Sequence, residues 1–219
     1  MKTKIVNFSG FSKASWKVER YLGELESPHD NFKYPLLQIR EVAHVRGELI
    51  DPKKKTIKDL KYIGLENIQS LTGELIQGDD HKEILSISKR FYKNDILYSR
   101  LRPYLNKVYL TAKPIEEGIC SNEFIVLVCN EKILPLFLRT ILTSSILLNK
   151  ISSMQAGAAL PRIGATDLLN IYIPVPPIEI QKELIKNIVN SMERYRAAAE
   201  LVKVLPREAI ESFTEALQG

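Results

Sequence analysis

The feature that most restricts what this 219-residue chain can fold into lies towards its C-terminal end. From Ile178 onward, Ile178, Ile185, Ile188, Met192, Tyr195, Ala199 and Val202 recur in alternating steps of three and four, interrupted only where Gln181 takes a step. Such spacing, sustained over more than three heptads, is a helix seam, and its stripe is narrower than a helix lying on a globular core needs. At 1.5 Å per residue, a helix from Ile178 to Val204 is about 40 Å long. It can cover its seam by folding back on its own domain or by pairing with another such helix, and the narrow stripe favours pairing.

The run into this helix is stiffened. Ile171-Tyr-Ile-Pro-Val-Pro-Pro177 carries three prolines, each of which fixes φ and pushes the preceding residue towards extended backbone. Ile171 to Val175 is expected to be extended, Pro177 suits the first turn of the helix, and Glu179 sits favourably near the positive end of its dipole.

The preceding part is textured differently. The first thirty residues are polar and weakly patterned, with one short helix expected around Trp16 to Leu22. Leu36 to Val45 alternates loosely, Gly47 and Asp51-Pro52 mark a turn, and Lys53, Lys54 and Lys55 follow. Strands are expected at Tyr62–Ile68, Asp95–Ser99 and Lys107–Thr111, the last two flanking an irregular Arg100–Asn106 turn. Phe124–Cys129 reads as a buried strand, and Glu131 to Ile151 as one helix.

A hydrophobic fraction of 45% gives enough apolar material for a core. Cys120 and Cys129 are too few for a disulfide framework and suit a reducing cytoplasm as buried thiols. Met1 to Tyr21 lacks the apolar stretch of a signal peptide, and Ile133–Leu148 is too short and too interrupted to span a membrane. The net charge is +5 but uneven. From Lys82 to Lys113 eight basic residues face two acidic ones, a balance of +6, leaving −1 for the rest. A confined basic surplus suits a phosphate-binding face, although solvated loops can also be basic.

Catalytic motifs are missing. There is no phosphate-cradling Gly-x-x-x-x-Gly-Lys-Ser/Thr or Gly-x-Gly-x-x-Gly loop and no Gly-x-Ser-x-Gly elbow. His29, His44 and His81 are scattered and unpaired with cysteines at zinc spacing. The Asn-Pro-Pro-Tyr tetrapeptide of amino-methyltransferases is absent. Asp51 with Asp59-Leu-Lys61 could serve a metal-dependent nuclease, but a lysine-rich turn explains them equally well. No catalytic residue, metal or cofactor is expected.

Several segments together resemble the specificity subunits of type I restriction-modification systems. They are Tyr62-Ile-Gly-Leu-Glu-Asn-Ile68, Asn94-Asp-Ile-Leu-Tyr-Ser-Arg-Leu-Arg-Pro-Tyr-Leu-Asn-Lys107, Cys120-Ser-Asn-Glu-Phe-Ile-Val126, Leu160-Pro-Arg-Ile163, Ile173-Pro-Val-Pro-Pro-Ile178 with Gln181, and Leu205-Pro206. The resemblance covers Tyr34 to Gly219 and departs from the family pattern at Ile180, where Glu is common, and at the terminal Ala216-Leu-Gln-Gly219.

The resemblance implies an α+β fold: a mixed α/β target recognition domain followed by a long C-terminal coiled-coil helix. The corresponding divisions are a lead-in over 1–33, a DNA-binding domain over 34–176 and a dimerisation and spacer helix over 177–219. One domain and one helix look like a half-size subunit or a truncation of a larger one. The implied partners are double-stranded DNA, methyltransferase (modification) subunits, a restriction subunit in the complete system, and a second copy held through the helix. A stand-alone DNA-binding regulator or inhibitor, and an assembly scaffold without a DNA role, remain as alternatives.

A recognition domain needs cations for phosphates and forked or planar groups for base edges. Arg100 and Arg102 could fork onto guanine, and Asn106 could pair with adenine, on a turn stiffened by Pro103. Lys89, Arg90, Lys93 and Arg162 read as phosphate contacts, and Ser99, Tyr104 and Lys107 complete the candidate set. The competing reading is an arginine spent on an internal carboxylate and Tyr104 placed in the core.

Overall fold

The computed structural model describes residues 32–51, 60–76, 86–154 and 160–218. The helix expected around Trp16 and the Lys53–Lys55 cluster lie outside these residues. The chain divides into two compact units, Met1–Ile178 and Glu179–Gly219.

In the first unit, strands β1 (Leu36–Gln38), β2 (Ala43–Val45), β3 (Leu49–Ile50), β4 (Tyr62–Ile63), β5 (Ser88–Phe91), β6 (Ile96–Ser99), β7 (Val108–Leu110), β8 (Gly118–Cys120), β9 (Phe124–Cys129) and β10 (Tyr172–Pro174) form three sheets. One sheet has the order β2-β9-β6-β7, a second β3-β5-β8-β4, and β1 pairs with β10. Among the described residues, every strand pairing is antiparallel except β4 with β8. Ile63, Phe91 and Cys120 from the second sheet pack with Leu97, Tyr109, Phe124 and Val126 from the first in one core cluster. All four residues of β6 are buried, which explains its continuous Ile-Leu-Tyr-Ser run.

The strands expected at Asp95–Ser99, Lys107–Thr111 and Phe124–Cys129 form, as does the extended segment before the long helix. Two expectations are corrected. Tyr62–Ile68 is a strand only at Tyr62–Ile63, and Leu65–Asn67 is a turn of 3-10 helix. The cause is local: the Asn67 side chain accepts from the Gly64 N–H at 2.7 Å, an alternative to the ladder. The single helix expected over Glu131–Ile151 is two. A one-turn helix α1 (Ile39–Val42) comes earlier in the chain; here α2 spans Pro135–Thr143 and α3 Ser145–Met154. Between them Ser144 is extended, and its hydroxyl donates to the Ile141 carbonyl at 2.7 Å.

A part-buried ion pair pins the turn that opens β6. Arg46 Nε and Nη2 donate to the two carboxylate oxygens of Asp95 at 2.7 and 3.0 Å, and the Arg46 guanidinium lies 4.7 Å from the Tyr92 ring centre. The Tyr92 N–H donates to the same carboxylate at 2.8 Å. Bonding to Asp95 raises the pKa of Arg46 above its ordinary value.

After α4 (Ala165–Leu169), the long helix α5 runs Ile178–Gln218 and accounts for the second unit. It starts one residue after Pro177, which therefore precedes the first turn. Its 41 residues correspond to about 60 Å rather than about 40 Å, because the helix continues through Pro206. The three-four spacing continues beyond Val202 as Pro206, Ala209, Phe213 and Ala216. Val202 is 71% exposed and Phe213 66%. No helix among the described residues is long and apolar enough to cross a membrane.

Candidate nucleic-acid interface

β6 and β7 pair antiparallel and are joined by residues 100–107, so the basic turn is the tip of a hairpin whose strands are buried. Pro103 opens a 3-10 turn over Pro103–Leu105, closed by Leu105 N–H to the Arg102 carbonyl and Asn106 N–H to the Pro103 carbonyl, both 2.9 Å. The residues flanking it, Arg102 (φ 47°) and Asn106 (φ 52°), are both left-handed. Asparagine tolerates this region; arginine adopts it only where its surroundings impose it.

Those surroundings come from distant parts of the chain. Arg102 N–H donates to the Pro161 carbonyl at 2.8 Å and Ile163 N–H to the Arg100 carbonyl at 3.0 Å, pairing Leu101 with Arg162 in an antiparallel bridge. Arg100 N–H donates to the Glu123 carbonyl at 2.9 Å. On the other flank, Leu71 N–H donates to the Asn106 carbonyl at 3.2 Å, and the Asn106 side-chain amide to the Thr143 carbonyl at 2.9 Å.

The result brings the backbones of Arg100, Arg102 and Arg162 together at the hairpin tip, with Tyr104 in the turn that follows. Arg102 is exposed and, among the described residues, its guanidinium has no side-chain partner. Tyr104 is 55% exposed, which removes the core reading for it. Arg162 Nη2 pairs with Glu123 Oε1 at 2.8 Å while remaining half exposed. Arg100 is part-buried.

Other expected members are placed differently. Asn106 is 4% exposed and committed to Thr143, so it holds the turn and cannot reach adenine. Ser99 is 3% exposed, with its hydroxyl on the Leu101 carbonyl at 2.8 Å. Lys107 donates to the Leu65 carbonyl at 2.8 Å. Lys89 donates to the Asn122 and Phe124 carbonyls at 3.0 and 2.6 Å, and burial lowers its pKa. Arg90 pairs with Glu117 at 3.0 Å and lies 5.1 Å from the Tyr92 ring centre; Lys93 pairs with Glu116 at 2.9 Å. Arg90 and Lys93 lie towards the Asp95 end of β6, away from the hairpin tip. Their charge was legible, but not that each has a carboxylate of its own.

Two residues at the tip escaped sequence reasoning. Leu71 is 68% exposed with φ 69°. Its loop is held from behind by buried Arg139, which donates to the carbonyls of Thr72 and Val108. Gly73 (φ 65°) leaves no room for a side chain against Val108 and Arg139. Nothing in the local sequence marks a leucine for left-handed backbone. Glu123 lies in a quoted segment, yet only the fold brings it to Arg162.

Comparison with known proteins follows the same lines. Residues 33–208 match the sequence profile of the type I restriction modification DNA specificity domain. Over 167 residues the chain is 27% identical to the type I restriction enzyme EcoDI specificity subunit of Escherichia coli, an alignment covering 75% of this chain and 36% of that subunit. The solved HsdS subunit from Thermoanaerobacter tengcongensis is similar with a TM-score of 0.66 at 26% identity, covering 80% of this chain and 46% of that one. A chain from a structure described as the basis of complex assembly and conformational transition of the type I R-M system gives a TM-score of 0.65 at 27% identity, covering 81% and 48%. The chain therefore spans less than half the length of each of these relatives.

Proposed function

This chain belongs to the type I restriction-modification DNA specificity family, and on that premise we propose that it reads one half of a bipartite DNA site and performs no catalysis itself. The observation that carries the reading is the backbone stitching of residues 100–102 to residues 161–163, which brings Arg100, Arg102 and Arg162 together beside the turn that holds Tyr104. Arg102, whose guanidinium has no side-chain partner among the described residues, is the leading base contact, since a guanidinium can bond guanine O6 and N7 together. Arg162 supports it by base or phosphate contact. Lys89, Lys107, Ser99 and Asn106 position the tip, and Arg90 and Lys93 contribute longer-range attraction, their cations being shared with Glu117 and Glu116.

Adenine-methyltransferase subunits, and a restriction subunit in the complete system, are the proposed partners that act on the site. The exposed seam of α5 suits a coiled coil with a second copy. With the two-fold axis perpendicular to the helices the pair is antiparallel, which sets the two domains at opposite ends and makes the two half-sites palindromic. A pair of helices up to about 60 Å long spans at most roughly 18 base pairs, which leaves an uncontacted spacer.

Gel shift of the full chain on duplex DNA across a salt series tests the reading. Binding that weakens steeply with salt is expected, because each neutralised phosphate releases counterions. Salt-independent binding, or none, leaves the scaffold alternative. Co-purification with an adenine methyltransferase separates a specificity subunit from a stand-alone regulator.

A further inference from the structure

Leu71 is held in a conformation that leucine rarely adopts, at a place where its side chain buries little. Its φ of 69° is left-handed, a region in which a Cβ crowds the following carbonyl, and its side chain is 68% exposed. The backbone around it is nevertheless tightly tied. Ile68 and Leu75 pair in an antiparallel bridge, Gln69 N–H donates to the Glu74 carbonyl at 2.9 Å, and Gly73 N–H donates to the Gln69 carbonyl at 3.0 Å. Buried Arg139 of α2 donates to the Thr72 carbonyl, and Leu71 N–H donates to the Asn106 carbonyl at 3.2 Å. Asn106 closes the turn that Arg102 opens, so the loop carrying the leucine is bonded directly to the basic tip.

Strain that burial does not offset, on an exposed apolar side chain, points to a contact made only with a partner. The chemistry of that partner follows from the neighbouring turn. Arg102, exposed and with no side-chain partner among the described residues, is equipped for guanine O6 and N7, which face the major groove. In that groove the apolar feature that a base pair presents is the C5 methyl of thymine. Resting on the DNA-reading assignment above, we propose that Leu71 is a specificity-determining residue that packs on the C5 methyl of a thymine, close along the duplex to the guanine read by Arg102. The rigid loop matters because one methyl contact is weak and counts only where little ordering is lost on binding. A cytosine at that position offers no methyl group, so the contact is lost.

The full chain is incubated with a pool of randomised duplexes, and the bound fraction is sequenced to define its motif. Each thymine of either strand is then replaced in turn by deoxyuridine, which pairs identically but lacks the methyl group. Affinities are measured for the wild type, Leu71→Ala and Leu71→Gly. At one thymine the wild type should lose roughly three- to tenfold, the scale of one buried methyl group. At that position both variants should bind the thymine and uracil duplexes equally, with the rest of the motif intact. Thermal melts confirm folding, and Leu71→Gly, which relieves the left-handed strain, keeps the test informative should Leu71→Ala be destabilised. A motif without thymine, or a wild type indifferent to every uracil replacement, overturns the assignment. If Leu71→Ala then also reduces DNA bending, the leucine is a wedge between base steps instead. Uracil sensitivity that persists in both variants assigns the methyl to another residue and overturns it too. A wild type that enriches no motif overturns the DNA-reading assignment as well, so the two failures are distinguishable.

Discussion

The N–H of Arg102 donates to the carbonyl of Pro161 at 2.8 Å, and this bond holds an arginine in left-handed backbone at the tip of the β6–β7 hairpin. The conformation costs about 1–2 kcal/mol for a residue with a Cβ. It is offset by that bond and the neighbouring Ile163–Arg100 bond, at about 0.5–1.5 kcal/mol each.

Arg102→Gly should therefore separate binding from stability. Glycine relieves the left-handed strain, so thermal melts should show unchanged or slightly higher stability. DNA affinity should fall by about 1–3 kcal/mol if the guanidinium contacts a base, with relaxed preference at one position. Equal weakening on all sequences, with the salt slope smaller by about one, would assign Arg102 to phosphate instead.

Asn106 combines left-handed backbone with a buried hydrogen bond to Thr143. Asn106→Ala loses both and should cost roughly 2–3 kcal/mol in urea unfolding. Asn106→Gly keeps the backbone preference and should cost less. Equal losses for the two would show that only the side-chain bond matters.

Arg46→Ala leaves the buried Asp95 carboxylate without its cation but, because Arg46 is part-exposed, should cost less than a fully buried pair does, about 1–3 kcal/mol. The folded fraction should collapse at lower denaturant, with the slope of the transition unchanged. A loss below 1 kcal/mol would mean that the Tyr92 N–H alone supports the carboxylate.

Ile188→Glu places a charge in the seam of α5. The variant should sediment as a monomer while its circular dichroism and melting of the first unit match the wild type. A variant that still sediments as a dimer would remove the seam from the assembly surface.

Alkaline pH should destabilise the fold. Burial pushes the Cys120 and Cys129 thiols from about 9 up to about 12 and raises the Tyr98 phenol as well. Between pH 9 and 12 the unfolded chain releases thiol protons that the folded chain keeps, so stability present below pH 9 is lost as pH rises. Lys89, whose pKa is lowered, works in the opposite direction below its ordinary value of 10.5. Cys120→Ala should flatten the fall in stability over pH 9–12; an unchanged slope would show that Cys120 is not its source.

Legibility followed the range of the interactions. Phe124–Cys129 was readable because a strand buried on both faces carries a continuous apolar run. The divided helix at Ser144 was not, because a hydroxyl that competes for backbone carbonyls looks like any other polar residue. Arg100, Arg102 and Arg162 were singled out by charge and by resemblance. Ser99, Asn106 and Lys107, named for their donor groups in or beside the same turn, donate to backbone carbonyls, since donor chemistry suits a carbonyl of the fold as well as a base.

By itself, the sequence determined the elements whose signal is periodic or continuous: the buried strands, the proline-stiffened run into α5, and the apolar seam along that helix. These depend on neighbours one to four residues apart. Only the tertiary structure decided which cations are available. Glu116, Glu117 and Glu123 reach Lys93, Arg90 and Arg162 across sheet pairings and turns, and the Arg102–Pro161 bond exists only once the loop before α4 has docked on the hairpin. Charge is a property of the residue, but freedom to meet DNA is a property of what the fold sets beside it.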